Sequence, residues 1–480
     1  MRFSQRSYIG LIGAVLLVAL MGPGSTLLAD NTAKLPPKTA LDDYIAKPDP
    51  SYQWHLVKTV KRHGCTVYLV DMTSQTWRTP QEVDRPLWKH WLIVAKPDKL
   101  AYHTAFLGVF GGSNGRKAPD PAKSMVVRIA KITKSVTVEL EQIPNQPLVF
   151  CNDGEERRED NLVAYTWDKV IRTGDQTWSA RFPMVKSVVR AMDTVQALMA
   201  SRAGGQVKID RFVVAGASKR GWTTWLAGAA DRRVAALIPI VIDALNCDIS
   251  LRHHYAVYGF WAPSVHDYVR HHIVDRLGLA EVQKRLYDVE DPYCYRHRLT
   301  MPKYILTASG DQFFPPDASR FYFDDLRGEK YFRTVPNADH SLDGSDWVQT
   351  VVTFYQMILA DKPRPRFSWQ FESEGVVRIQ CKDQPAKVTL WAATNPKARD
   401  FRLESLGPKY KPTVLKGDHG TYLAKVEKPA KGWTAWFVEL SYPVGGIVNL
   451  KLTTPVRVIP DILPFGDKII PGTKVKAGQL

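Results

Sequence analysis

The segment Arg211-Phe212-Val213-Val214-Ala215-Gly216-Ala217-Ser218-Lys219-Arg220-Gly221-Trp222 decides the fold. Its first half is β-branched and aromatic, the composition of a buried strand. Its second half opens a helix-forming stretch. Between them stands a serine flanked by glycines, so the chain reads strand, sharp turn, helix, with Ser218 at the apex. Such a turn lifts a hydroxyl clear of a sheet and leaves backbone N–H groups beside it. A structural serine in a glycine turn is the plainer reading of so short a motif. The downstream sequence has to decide between them.

Lys303 to Asp311 reads as a buried strand ending in Gly310-Asp311, with Phe314-Pro315-Pro316 after it. Tyr331 to Val335 reads as another strand, and its following loop carries Asp339-His340. Open α/β sheets place their sites at strand C-terminal ends, where Asp311 and His340 fall. Serine, acid, histidine is the chain order of α/β-hydrolases. The expectation is therefore an α/β-hydrolase fold with Ser218 as nucleophile, His340 as general base and Asp311 fixing the imidazole tautomer. Read singly, Asp311 serves equally as a turn or capping residue, and His340 as a cap on the helix after it. Asp243, Asp317 and Asp339 are rival acids. Asp243 ends the earlier apolar run Ala235–Ile242, while Asp339 adjoins His340, and neighbours rarely face each other. An oxyanion hole needs two donors. The Lys219 N–H supplies one. Gly112 and Ser113, in the glycine-rich loop after the apolar run Phe106–Phe110, are candidates for the other, although a plain turn explains the same composition. The usual elbow is G-x-S-x-G. Here the second glycine is displaced, and Arg220 in the gap is expected to crowd the helix against its strand.

The elbow, the opening Leu41-Asp42-Asp43-Tyr44 with Pro48-Asp49-Pro50-Ser51-Tyr52, and Gln142-Ile143-Pro144-Asn145-Gln146-Pro147 resemble the PhoPQ-activated pathogenicity-related proteins. The autocrine proliferation repressor A-like proteins belong with them. The resemblance spans residues 40 to 455. It implies a secreted or periplasmic protein of the α/β-hydrolase type, linked to virulence or envelope stress, with no settled substrate. The displaced glycine also resembles the elbow of glucuronoyl esterases, where a basic residue after the nucleophile helps hold the oxyanion. That resemblance implies the same for the Lys219 side chain.

Arg2 and Arg6 precede an apolar run from Ile9 to Met21, followed by Gly22 to Ser25 and Ala29. That is the order of a secretory signal over residues 1–29, and the run is shorter than the ~20 residues of a membrane span. An uncleaved N-terminal anchor is the alternative. Export permits disulfides among Cys65, Cys151, Cys247, Cys294 and Cys381, with Cys247 and Cys294 the expected pair and at least one thiol left free. The net charge of +17 is spread along the chain. It favours an anionic envelope surface as partner, or simple solubility. No recognition motif points to nucleic acid.

Alternating strands and helices over residues 40–362 imply a mostly parallel sheet covered on both faces. A helical, aromatic insertion at about 245–302 holds six of the chain's 12 histidines. It reads as a lid, with Tyr255, Tyr258, Phe260, Trp261 and Tyr268 lining a cleft. His266, His271 and His272 lack the i, i+4 spacing of a helical zinc site, so no metal or other cofactor is expected. Lys362-Pro363-Arg364-Pro365-Arg366 reads as a stiff linker. Short alternating strands over 366–455 suggest a small β-sandwich, and 456–480 an extended tail. Two function classes remain open. One is a serine hydrolase of an ester or peptide bond, or a transferase of the same chemistry acting on a glycan. The other is a non-catalytic secreted signalling or envelope-binding protein on this fold.

Overall fold

The computed structural model describes residues 38–467. The segment 1–29, expected to be a secretory signal, and the last residues of the tail lie outside them. Nine strands form the central sheet among the described residues: β1 Gln53–Arg62, β2 Cys65–Thr76, β3 Leu87–Pro97, β4 Thr104–Val109, β5 Thr137–Leu140, β6 Arg211–Ala217, β7 Val234–Ile240, β8 Lys303–Ala308 and β9 Lys330–Val335. Their order is β1-β2-β3-β5-β4-β6-β7-β8-β9. β1 to β3 run antiparallel to their neighbours, and every pair from β5-β4 to β8-β9 is parallel. This is the α/β-hydrolase sheet, with Ser218 directly after the central parallel strand β6.

The continuous apolar run of β6 has a physical cause. Successive side chains point to opposite faces, and both faces are covered. Phe212 and Val214 join one core with Val188, Trp222 and Trp225 of the helices Arg181–Ala200 and Lys219–Ala230. Val213 and Ala215 join another with Val351 and Phe354 of the helix Trp347–Leu359.

That second core continues into the C-terminal strands. Phe367–Ser373, Val376–Cys381 and Thr421–Lys425 make a three-stranded antiparallel sheet. It faces a five-stranded one built on Lys387–Asn395 and Trp433–Tyr442. Val377, Ile379, Trp436 and Leu452 share one cluster with Tyr304, Leu306 and Val335 of β8 and β9. Tyr304 donates to the Lys451 carbonyl at 2.8 Å. Among the described residues, those from Thr39 to Asp467 form one compact unit.

The insertion is helical, with Cys247–Tyr258 its longest helix. Its histidines are tied to neighbours. His253 pairs with Asp317 at 3.0 Å, His254 bridges the Phe313 carbonyl and the Ala262 N–H, and His271 meets Asn161 at 2.7 Å. Cys247 and Cys294 are free thiols, against the expected pairing, and so are the other three cysteines. Among the described residues, no helix is long and apolar enough to cross a membrane.

Because β8, β9 and the C-terminal strands share one core, a cavity at Leu452 should destabilise the whole unit. Leu452→Ala is expected to cost about 2 to 5 kcal/mol. Far-UV and near-UV circular dichroism melts should fall together. Separate transitions would show that the sandwich unfolds on its own.

Candidate active site

Ser218 has φ 56° and ψ −126°, a conformation that side-chain-bearing residues rarely adopt. The surrounding backbone enforces it. Ser218 N–H donates to the Ile240 carbonyl of β7 at 2.8 Å, and its own carbonyl accepts from Trp222 N–H at 3.0 Å. Two glycines permit the crossing. A Cβ on Gly216 would lie 2.5 Å from the Arg220 carbonyl, and one on Gly221 would lie 2.9 Å from the Gly216 carbonyl. The displaced glycine therefore does the close packing of helix on strand. Arg220 does not crowd it, contrary to expectation. Its side chain turns sideways under Gly111, donating to the Ile143 carbonyl at 2.5 Å and to both Glu159 oxygens at 2.6 and 2.7 Å.

Asp311 follows β8 and His340 follows β9, and the two meet. His340 Nδ1 lies 2.8 Å from Asp311 Oδ2, and Asp311 Oδ1 accepts the Phe313 N–H at 2.8 Å. A carboxylate acceptor at Nδ1 selects the tautomer whose Nε2 is a base. That Nε2 is buried and has no hydrogen-bond partner among the described residues. Phe313 packs on the imidazole with ring centres 4.4 Å apart. Phe313 and Phe314 also line, with Ser218, a cavity of about 660 Å³ including its open mouth.

The rival acids are engaged elsewhere. Asp317 pairs with His253 and, at 2.8 Å, with Arg399. Burial alone would raise its carboxyl, yet its contacts with His253 and Arg399 hold it well below the usual range. Asp339 accepts from the N–H and hydroxyl of Ser341. Asp243 lines the cavity and accepts from the Tyr322 hydroxyl at 2.5 Å. Burial pushes its carboxyl up to about 8.

Lys219 lines the cavity, but its ammonium already sits 2.9 Å from Glu159 and 3.0 Å from Asp160. The Ser218 side chain does not cap the helix that Lys219 begins. The first N–H groups of that helix are thus left without this cap. Gly112 and Ser113 are not among the lining residues. The Gly112 carbonyl accepts from Gln146, and the Ser113 hydroxyl from Arg158. From the insertion, Cys247, Ser250, Leu251, His254, Val265 and Tyr268 line the cavity, which makes it a lid as expected. Of the five aromatics expected there, Tyr268 does so. His254 stacks on Trp261 and edges onto Tyr258, so those rings pack within the lid.

Several functional residues escaped the sequence reading. Glu159, with φ 50°, opens the helix Glu159–Thr173 and receives both cations that follow Ser218. Burial opposes its ionisation, but Arg220 and Lys219 hold its carboxyl well below the usual range. Gln146 grips Glu159 from the other side and joins it to Gly112. Arg181, buried at the cavity wall, donates to the Lys219 carbonyl at 3.0 Å and pairs with Glu290 at 3.4 Å. Burial raises Glu290 to about 7. Behind the acid and base, Leu403 N–H donates to the Gly310 carbonyl at 2.9 Å, and Tyr410 and Asn337 exchange two hydrogen bonds.

A family model described as PhoPQ-activated pathogenicity-related protein matches residues 41–402. The autocrine proliferation repressor protein A of Dictyostelium discoideum is 37% identical over 458 residues, covering 89% of this chain and 92% of that one. The chain belongs to the PhoPQ-activated pathogenicity-related family. Among solved structures, acetyl xylan esterase 1 from Thermoanaerobacterium sp. JW/SL YS485 superposes with TM-score 0.46 at 14% identity, over 66% of this chain and 91% of that one. A glucuronoyl esterase from Solibacter usitatus gives TM-score 0.36 at 16% identity, over 66% and 87%.

The raised Asp243 sets a pH dependence in this family member. Between an ordinary value of 3.8 and about 8, the folded chain keeps a proton that the unfolded chain has released. Stability therefore falls as pH rises through that window and levels off above it. Asp243→Asn has no such proton to lose. Its melting temperature should change less than the wild type's between about pH 5 and about pH 9. Equal pH dependence in the two proteins would remove Asp243 as the cause.

Proposed function

We propose that this protein is an exported serine hydrolase that cleaves an ester or peptide bond. The observation that carries this reading is the Asp311–His340 hydrogen bond, which leaves a buried, unpartnered Nε2, while Phe313 packs on that imidazole and lines one cavity with the elbow serine. In this reading His340 Nε2 takes the Ser218 proton as Oγ attacks the carbonyl carbon. The Lys219 N–H at the helix start receives the developing oxyanion. The Lys219 ammonium, already shared by two carboxylates, acts by holding the elbow. His340 then returns the proton to the leaving alkoxide or amine. Water, activated by the same nitrogen, releases the acyl group. Asp311 holds the imidazole and stabilises its cationic form.

The basic n-region and apolar run of residues 2–21 support export, and the charge of +17 supports attachment to an anionic envelope surface. The second reading is a non-catalytic secreted signalling or envelope-binding protein on the same fold, and the relative named autocrine proliferation repressor protein A supports its signalling form.

A fluorophosphonate probe separates the two. Wild-type protein should label, Ser218→Ala should not, and His340→Ala should label slower by a factor on the order of 10⁴ or more. Asp311→Asn should slow turnover by about 10⁴. A folded wild type that does not label would favour the second reading.

A further inference from the structure

Two cavities flank the elbow, one lined by Ser218 and the other by Gly216 and Ala217. The first, on the lid side, is lined by Ser218 and by polar groups including Asp160, Arg181 and Lys219. The second begins at Ala217, the residue before Ser218, on the opposite face of the sheet. It runs between β4, β6 and β7 on one side and the helices Met125–Thr133 and Trp347–Leu359 on the other. It holds about 560 Å³ including its mouth, and none of its lining residues is ionisable. Phe106, Ile129, Ile240 and Val351 form its walls, with Val348 and the part-exposed Met125 also lining it.

Small residues hollow it out. Gly108, Ala215 and Ala217 stand where the sheet face otherwise carries branched side chains. Phe110 folds back over Gly108, so closely that a Cβ there would lie 2.5 Å from its ring. A close-packed interior has few such hollows, and this one is lined by the exposed Ala217, next in the chain to a candidate nucleophile.

We propose that this second cavity is the subsite for the unbranched hydrocarbon chain of an acyl ester, with the polar alcohol half seated on the lid side. The assignment rests on the reading of Ser218 as nucleophile. The apolar cavity offers no partner for hydroxyls or charge, whereas the lid-side cavity offers several, which orients the ester. Attack of Ser218 Oγ on the carbonyl carbon breaks the C–O bond to the alcohol, which leaves with the proton from His340. The chain stays on Ser218 in the apolar cavity until water adds and a free carboxylic acid departs.

The test compares p-nitrophenyl esters from acetate to octanoate on wild type and Val348→Trp. Val348 is half-buried, so the larger ring plugs the cavity without entering the core, and a melt verifies folding. On wild type, kcat/KM should rise about fourfold per added methylene, the transfer free energy of one CH₂ written as a ratio. In Val348→Trp the acetate rate should persist and the rise should vanish. An arm independent of turnover titrates octanoate and acetate into Ser218→Ala by calorimetry. Octanoate should bind, acetate should not, and adding Val348→Trp should abolish binding. Octanoate binding without ester cleavage would keep the cavity and remove the nucleophile. Cleavage without chain-length preference, together with no octanoate binding, would overturn the cavity and keep the nucleophile. Absence of both would overturn the two together.

Discussion

The strained backbone at Ser218 is the constraint on which the site depends. A non-glycine residue at positive φ with extended ψ costs on the order of 1–3 kcal/mol and persists where its surroundings over-determine it. Here they do so from three sides. β7 takes the Ser218 N–H, the helix takes its carbonyl, and Gly216 and Gly221 let strand and helix approach to a distance that a Cβ would forbid. Moving the second glycine one place along the helix preserves this contact, because the glycine that matters is the one facing the strand. The freed position then becomes available for Arg220.

Arg220 and Lys219 bring two cations into a largely buried place, and buried cations need counter-charge. Glu159 and Asp160, at the start of one helix, supply it. Negative charge also suits a helix N-terminus. Through Gln146 the same carboxylate reaches the Gly112 loop, so elbow, glycine loop and helix Glu159–Thr173 are bolted together by one hydrogen-bonded network. Removing one partner of such a network leaves the others buried and uncompensated. The basic pair after the serine is thus a fastening for the Ser218 turn, and its charge is already neutralised by the protein's own carboxylates.

Much of this was legible in the sequence because it has a local signature. β6 and β8 are buried on both faces and read as unbroken apolar runs. Asp311 and His340 were legible because each lies in the loop directly after a strand, β8 and β9. β1 was not, since most of its residues are exposed and its pattern carries no apolar face. The helix Glu159–Thr173 was missed although Leu162, Val163, Thr166, Trp167, Val170 and Ile171 recur on its buried face at helical spacing, because charged and polar residues fill the positions between them. The partnership of Glu159 with Arg220 joins segments far apart in the chain, and pairing between remote charges leaves no periodic trace. The one hint was two adjacent cations about to be buried with no acid nearby. The Cys247–Cys294 pairing failed for a related reason, because flanking the same insertion says nothing of side-chain geometry.

The C-terminal strands also bear on the chemistry. Leu403 reaches the Gly310 carbonyl, directly before Asp311, and a Cβ on Gly310 would lie 2.8 Å from the Leu403 nitrogen. Gly310 in turn donates to the Ala338 carbonyl, two residues before His340. Tyr410 holds Asn337 by its backbone in both directions, and Asn337 N–H holds the Ser309 hydroxyl. The acid loop and the base loop are therefore tied to each other and to the segment that joins the C-terminal strands. An acid–base pair on two separate loops keeps its 2.8 Å contact only if both loops are fixed against one frame. The shared core explains why the sandwich is compact with the parallel sheet. These backbone hydrogen bonds explain what that attachment does, which is to hold Asp311 against His340.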